Sequence, residues 1–298
     1  MLTARIDRLQ AQGKSVLQTL SVLGRRFSVP LMRYLIDDSE DFRAVLSDLC
    51  GAGFLHEMRE GPEPEYGFRH ALTQEVAYES ILMERRRLLH ERAAQSIEAL
   101  FAGRLDEYWA ELAHHYSCSA NAGKAVEYRT LAAQQAMQRS AYAHASGHLR
   151  AALDLLGKLP DHPDRDHLEL TLRTTLGVSL SPGGGWATGE VRDQFDRAKV
   201  LSIAVGDSRR LSQALFGIVV FYVMRDEPAT ALEAGRELLD LSERSGDADL
   251  LLVAHSVHAA IFMGLADFAR ARSHAELAIG LYDSERHAAL APSYGGVD

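Results

Sequence analysis

The chain has 298 residues, 47% hydrophobic and 24% charged, with 8 prolines, which supplies a continuous apolar core and excludes an intrinsically disordered tail. Apolar runs such as Phe216 to Met224 are too short to span a bilayer, and Arg5, Asp7 and Arg8 interrupt the start, unlike a secretory leader. A net charge of −9 repels phosphate backbones, and two isolated cysteines, Cys50 and Cys118, with no CxxC pair, suit a reducing cytoplasm.

Over residues 1–92 the rhythm changes repeatedly. Ser15 to Leu23 predicts a short helix with Val16, Leu20 and Leu23 on one face. Phe27-Ser28-Val29-Pro30 reads as a break, followed by a second short helix carrying Leu31, Tyr34 and Leu35. Ser39 is placed to cap a third helix, with Glu40 and Asp41 in its first turn, where negative charge is favoured. That helix buries Phe42, Val45, Leu46 and Leu49 and stops at Gly51 or Gly53. Residues 54–58 and 66–69 then flank Gly61-Pro62-Glu63-Pro64, a turn composition between apolar segments that predicts a β-hairpin. Three helices followed by a hairpin make a winged-helix domain.

From residue 93 onward, apolar positions recur at helical steps, as in Leu211, Leu215, Ile218 and Tyr222, and strand signals are absent. A repeat of about 40 residues runs through this part. Gly206-Asp207 recurs as Gly246-Asp247, in each case a residue suited to stop one helix and a residue suited to cap the next. Val191, Ala231 and Ala271 share one register, Leu201, Leu241 and Leu281 another, and Asp226-Glu227-Pro228-Ala229 matches Ala266-Asp267-Phe268-Ala269. A lone helix pair cannot bury its apolar face, so neighbours must stack into an α-solenoid whose inner surface can take a peptide or a domain. The expected fold is therefore mainly α, a winged-helix domain with a small β-hairpin followed by a TPR-like α-solenoid. Its parts are 1–92, a helical linker with the first repeat-like helices at 93–160, and repeats at 161–298 that are truncated at the C-terminus.

Family likeness rests on three stretches. The opening Leu2-Thr3-Ala4-Arg5-Ile6-Asp7-Arg8-Leu9 contributes, as do Leu112-Ala113-His114-His115-Tyr116 and Leu281-Tyr282-Asp283. More specific is Phe68-Arg69-His70-Ala71-Leu72-Thr73-Gln74-Glu75-Val76-Ala77-Tyr78-Glu79-Ser80, continuing through Arg85-Arg86-Arg87-Leu88-Leu89-His90. Together they resemble the segment after the ATPase core in bacterial STAND-type ATPases, of the kind fused to class III adenylate or guanylate cyclase domains. In others of that class, the ATPase and repeats are attached to a LuxR-type DNA-binding domain. The resemblance implies a fragment that starts where the ATPase core would end. It also implies an upstream ATPase domain as partner, ATP or ADP bound in the full-length parent, and a protein or small-molecule signal at the repeats. The chain has no GxxxxGK[ST] loop and nothing resembling the metal-binding aspartates of a cyclase, so it is expected to be non-enzymatic and without a cofactor of its own.

Among candidate site residues, His70 comes first. The resemblance implies a winged-helix histidine that touches the phosphate of bound ADP and holds a closed state, with Arg69 beside it; the plainer reading is that His70 caps or packs the following helix, and that Arg69 and Glu75 form a surface ion pair or interdomain contacts. For residues 1–92, 13 Lys/Arg stand against 14 Asp/Glu, a net of −1, and the helix that would enter a DNA groove carries Glu40, Asp41 and Asp48 against Arg43 alone. DNA binding is therefore disfavoured. The run Glu84 to Arg92 is short and basic, and reads as a solvated helix face or a contact to an acidic surface. His144 with His148, His255 with His258, and His114-His115 with Cys118 have helical spacing but lie in no metal-binding motif, so packing roles are expected. Ser181-Pro182-Gly183-Gly184-Gly185-Trp186 lacks the lysine of a phosphate loop and reads as a turn, with Trp186 anchoring the next helix.

Overall fold

The computed structural model of the chain describes residues 2–36, 40–58, 65–160, 164–287 and 294, with the backbone alone described at 40, 41, 182–184, 285 and 286. The protein is mostly helical and forms two compact units, Met1–Tyr128 and Arg129–Asp298.

The first unit runs α1 (Leu2–Asp7), α2 (Ala11–Val22), β1 (Arg26–Ser28), α3 (Val29–Leu35), α4 (Glu40–Gly51), β2 (Leu55–Met58), β3 (Glu65–Phe68), α5 (Ala71–Glu79), α6 (Met83–Leu100), a 3-10 turn (Leu105–Tyr108) and α7 (Trp109–Cys118). The division between the units falls inside α8 (Ala122–Gln138), while the boundary expected at 92 lies within α6. Helical spacing sets the buried faces: Val16, Leu20 and Leu23 in and after α2, and Phe42, Leu46 and Leu49 in α4. Two expectations change. Pro30 does not break the chain but sits in the first turn of α3, where its fixed φ and missing N–H cost nothing. Phe27 and Ser28, read as part of that break, belong with Arg26 to a third strand.

The strand order is β1-β3-β2, all antiparallel, with Phe27 opposite Tyr66 and Leu55 opposite Phe68. Phe27 and Phe68 meet edge to face at 5.8 Å on the covered side of the sheet. Three residues are too few to show alternation, so β1 exists only because β3 offers it an edge. Ser39 and Gly61-Pro62-Glu63-Pro64 lie outside the described residues.

The second unit contains α9 (Tyr142–Leu156), α10 (Arg165–Gly184), α11 (Gly189–Val205), α12 (Ser208–Met224), α13 (Pro228–Ser245), α14 (Ala248–Gly264) and α15 (Phe268–Leu281). Among its described residues there is no strand. The 40-residue period is built into the backbone. Gly206 and Gly246 close α11 and α13 in the left-handed region at φ 73° and 64°. Asp207 and Asp247 then cap α12 and α14, accepting from the amides of Arg210 and Asp249. Asp226 and Ala266, also 40 apart, take φ of 59° and 56° without being glycine. In both turns the next amide reaches back to the helix, Glu227 N to Tyr222 O and Asp267 N to Phe262 O, each at 2.9 Å.

α12 packs on its sequence neighbours α11 and α13 and also on α10 and α14, so α10, α12 and α14 share a layer. The core between helices is joined by Leu215, Val219, Leu238 and Ile261. At its densest point the Phe195 ring of α11, 1% exposed, lies against the bare backbones of Gly177 and Gly217. Trp186 stacks on Phe195 at 5.9 Å, the anchoring role expected for it. The expected turn at 181–186 is instead shorter, because α10 continues through Gly184 before Gly185 turns at φ 81°. Of residues 293–298 only Tyr294 is described, and it is buried edge-on against Phe216 at 5.0 Å.

Candidate functional site

His70 and Arg69 follow β3 at the surface. His70 has extended backbone, and its carbonyl accepts from Thr73 N at 2.9 Å, which starts α5; its side chain makes no capping bond and is exposed. Arg69 is fixed by its backbone amide, which donates to Phe54 O at 3.0 Å, and its guanidinium projects outward. The guanidinium acts on the Cys50 thiol, whose pKa is raised first by burial and then by Glu57, with Arg69 opposing. Glu75 faces Arg25 at 3.9 Å. Exposed Arg25, Arg26 and Arg69 therefore form a small cationic rim beside His70 where the sheet meets α5. Such a rim can receive an anionic group, helped by free amides at the helix start.

The basic run 84–92 is not simply a solvated face. Arg87 pairs with Glu84 at 3.3 Å in solvent, but Arg86 turns back onto the end of α5. Its Nη2 donates to the carbonyls of Tyr78, Glu79 and Ile81 at 3.0, 3.3 and 3.3 Å, and its guanidinium lies 4.2 Å from the Tyr78 ring centre. A cation at a helix C-terminus satisfies carbonyls that the helix leaves open. Arg92 similarly donates to Leu35 O at 3.0 Å, and Arg85 to Ser15 Oγ at 2.8 Å. Arg85 and Arg92 border a cleft of about 590 Å³ that neither His70 nor Arg69 lines.

Beneath Arg86 lies a histidine cluster that sequence spacing showed only in part. His114 and Cys118 project from one face of α7, while His90, 1% exposed, comes from α6, 24 residues before His114. His90 Nδ1 is 2.9 Å from His115 Nδ1, and its Nε2 is 2.9 Å from the Tyr78 hydroxyl. Burial, reinforced by His115, His114 and Arg86, pushes the His90 imidazole down to about 3, so it is neutral near pH 7. One ligand atom from each of His90, His114 and Cys118 lies within 4.8 Å of the other two. Elsewhere in the same unit, partly buried Glu98 accepts from the Tyr116 and Tyr128 hydroxyls. Burial alone would raise its carboxyl, but those bonds and Lys124 hold it below the usual carboxylate value.

The second unit has its own histidines. His255 Nδ1 lies 3.0 Å from His274 Nδ1, and His258 stacks on His274 at 4.9 Å. His258 is buried and donates through Nδ1 to Ala254 O at 2.8 Å, as expected for a packing histidine. His148 Nδ1 is buried without a partner among the described residues. In the helix layer, His287 accepts from Asp283 N through Nδ1 and donates through Nε2 to Asp249 Oδ1 at 3.1 Å. Tyr294 reaches the Ser212 hydroxyl at 3.4 Å. α12 and α14 thus receive aromatic and imidazole side chains from a later stretch of the same chain.

No protein-family model matches the chain. Over 302 aligned residues it is 25% identical to an uncharacterized protein of Rhizobium meliloti (strain 1021), an alignment that takes in 98% of this chain and 29% of that protein. The chain therefore spans less than a third of the length of that relative. Among solved structures, it is similar to a signal transduction ATPase with numerous domains (STAND) from Pyrococcus horikoshii that carries a tetratricopeptide repeat sensor. That likeness has a TM-score of 0.48 and 13% identity, and covers 97% of this chain and 54% of the other. No helix among the described residues is long and apolar enough to cross a membrane.

Proposed function

We propose that this chain is a non-catalytic regulatory and protein-interaction portion of a larger ATP-dependent signalling protein, of the STAND type and linked to an adenylate or guanylate cyclase. The first unit is read as a winged helix that relays the nucleotide state of an upstream ATPase domain. Support comes from three helices, α2, α3 and α4, with a sheet of order β1-β3-β2 whose last two strands make a hairpin. The helical repeats are read as the sensor, binding a protein or small-molecule signal in the cytoplasm. The observation that carries this reading is the 40-residue helix-pair repeat, whose α12 and α14 already hold Tyr294 and His287 as they would hold residues of a bound peptide.

In this reading His70 and Arg69 touch the phosphates of ADP in the parent, and the chain alone holds no nucleotide. A LuxR-like or other DNA-binding role is the lesser alternative. The cationic rim at Arg25, Arg26 and Arg69 favours it, and the acidic balance of the unit opposes it. The test begins with the gene upstream of Met1. If an ATPase is encoded there in frame, ADP release from the joined protein is measured for wild type and His70→Ala. Release at least about tenfold faster in the variant, a loss of roughly 1.4 kcal/mol of ADP binding, is expected. An unchanged rate removes the nucleotide role of His70. Retention of duplex DNA by the chain at physiological salt would move the reading to the alternative.

A further inference from the structure

We propose that His90, His114 and Cys118 bind a borderline-soft divalent transition metal of the Zn2+ type, with a fourth coordination position left to water. The ligands come from two packed helices of the first unit. α7 places His114 and Cys118 one turn apart on a common face, and α6 supplies His90 from opposite. Zinc held at about 2.0–2.1 Å by nitrogen and about 2.3 Å by sulfur spaces its ligand atoms at about 3.5 Å. The separations of up to 4.8 Å therefore close by about 1 Å, through side-chain rotation of His114, which is exposed, and Cys118, which is half-buried. Two imidazoles and one thiolate select zinc, cobalt or nickel over magnesium and calcium, which require oxygen ligands.

The groups around the cluster match this role. His115 Nε2 lies 3.9 Å from Glu111 Oε1, a placement that favours its proton on Nε2 and leaves Nδ1 as an acceptor. His90 then donates Nδ1–H to His115 at 2.9 Å, and its lone pair is on Nε2. That nitrogen accepts from the Tyr78 hydroxyl at 2.9 Å, which turns aside for a metal to bind, and one ligand atom of His90 lies within 4.8 Å of those of Cys118 and His114. Glu111, His115 and His90 thus form an outer chain that fixes the tautomer and ring direction of the buried ligand. Binding replaces the thiol S–H bond of Cys118 with a metal–sulfur bond and releases that proton to solvent.

The test is a titration of the whole 298-residue chain with Co2+, followed by absorbance. A thiolate-to-cobalt charge-transfer band with tetrahedral d–d absorption is expected at one equivalent, displaced by Zn2+. Calorimetry of Zn2+ binding in buffers of different ionisation enthalpy should report about one proton released per metal. Cys118→Ser and His114→Ala should abolish the band and weaken Zn2+ binding roughly 100-fold or more, while His115→Ala keeps the band and weakens binding roughly 10- to 100-fold. Cys50→Ser serves as the second-thiol control and should change nothing. Circular dichroism of each variant checks that the fold is intact, which the exposure of His114 favours. No band in the wild type, a band that survives Cys118→Ser, or a band lost with Cys50→Ser would each overturn the proposal.

Discussion

Replacing Gly217 by alanine should destabilise the second unit, against the usual effect of that change in a helix. In the middle of a solvent-facing helix, glycine to alanine stabilises by roughly 0.5–1 kcal/mol, because alanine loses less backbone freedom on folding. At Gly217 the new β-carbon would overlap the Phe195 ring, and the ring cannot retreat because a β-carbon-sized space at Gly177 is already closed, 2.7 Å from Phe195 Cζ. Overpacking a rigid core costs typically about 1–3 kcal/mol, and an overlap this deep belongs near the top, so about 2 kcal/mol of net loss remains after the helix gain. For a unit of this size that corresponds to a melting shift of roughly 4–8 °C.

The assay is urea and thermal unfolding followed by circular dichroism, with Gly147→Ala as the control. Gly147 is exposed in mid-α9 with nothing within 4 Å of its would-be β-carbon, so there the same substitution should stabilise. Phe195→Leu combined with Gly217→Ala should be less damaging than the two single losses added, by about 1 kcal/mol or more, since a smaller side chain relieves the overlap. A neutral or stabilising Gly217→Ala, or strict additivity in the cycle, refutes the packing described for Phe195.

The repeat turns give a second expectation: Ala266→Gly should raise stability by about 0.5–1 kcal/mol in unfolding assays, the cost of a left-handed alanine less the entropy of the new glycine, and Gly206→Ala should lower it by about 1 kcal/mol. For Arg86→Met, the Tyr78, Glu79 and Ile81 carbonyls lose a charged donor, and a loss of about 1.5–3 kcal/mol in the first unit is expected by chemical denaturation. Acidification should also weaken the second unit. Burial is the first cause that lowers His258, with the Ala254 carbonyl opposing and Arg236 assisting; burial also leads for His274 and His255, among neighbours Arg270 and Glu243. A base held below its unfolded pKa of about 6.5 stays neutral when folded while the unfolded chain takes up a proton. Stability is thus full above about pH 6.5 and falls below it, by at most about 1.4 kcal/mol per pH unit for His258. Urea midpoints measured from pH 7.5 to 5 should show this slope, and His258→Gln should flatten it.

What the sequence determined by itself is whatever depends on near neighbours in the chain. Helical spacing fixed the buried faces of α2 and α4, and the pairs Gly206-Asp207 and Gly246-Asp247 marked both ends of consecutive helices, because stop and cap chemistry is local. The hairpin strands were legible from their apolar runs. Tertiary structure alone decided the rest. β1 is three residues long and becomes a strand only by pairing with β3, some 40 residues later. Arg86 looked like a solvated charge, since nothing nearby in sequence shows that the end of α5 turns its open carbonyls toward it. The histidine cluster was half visible, as His114 and Cys118 at one-turn spacing, and lacked its buried member. His90 joins them only because α6 packs against α7, a long-range contact that periodicity does not encode.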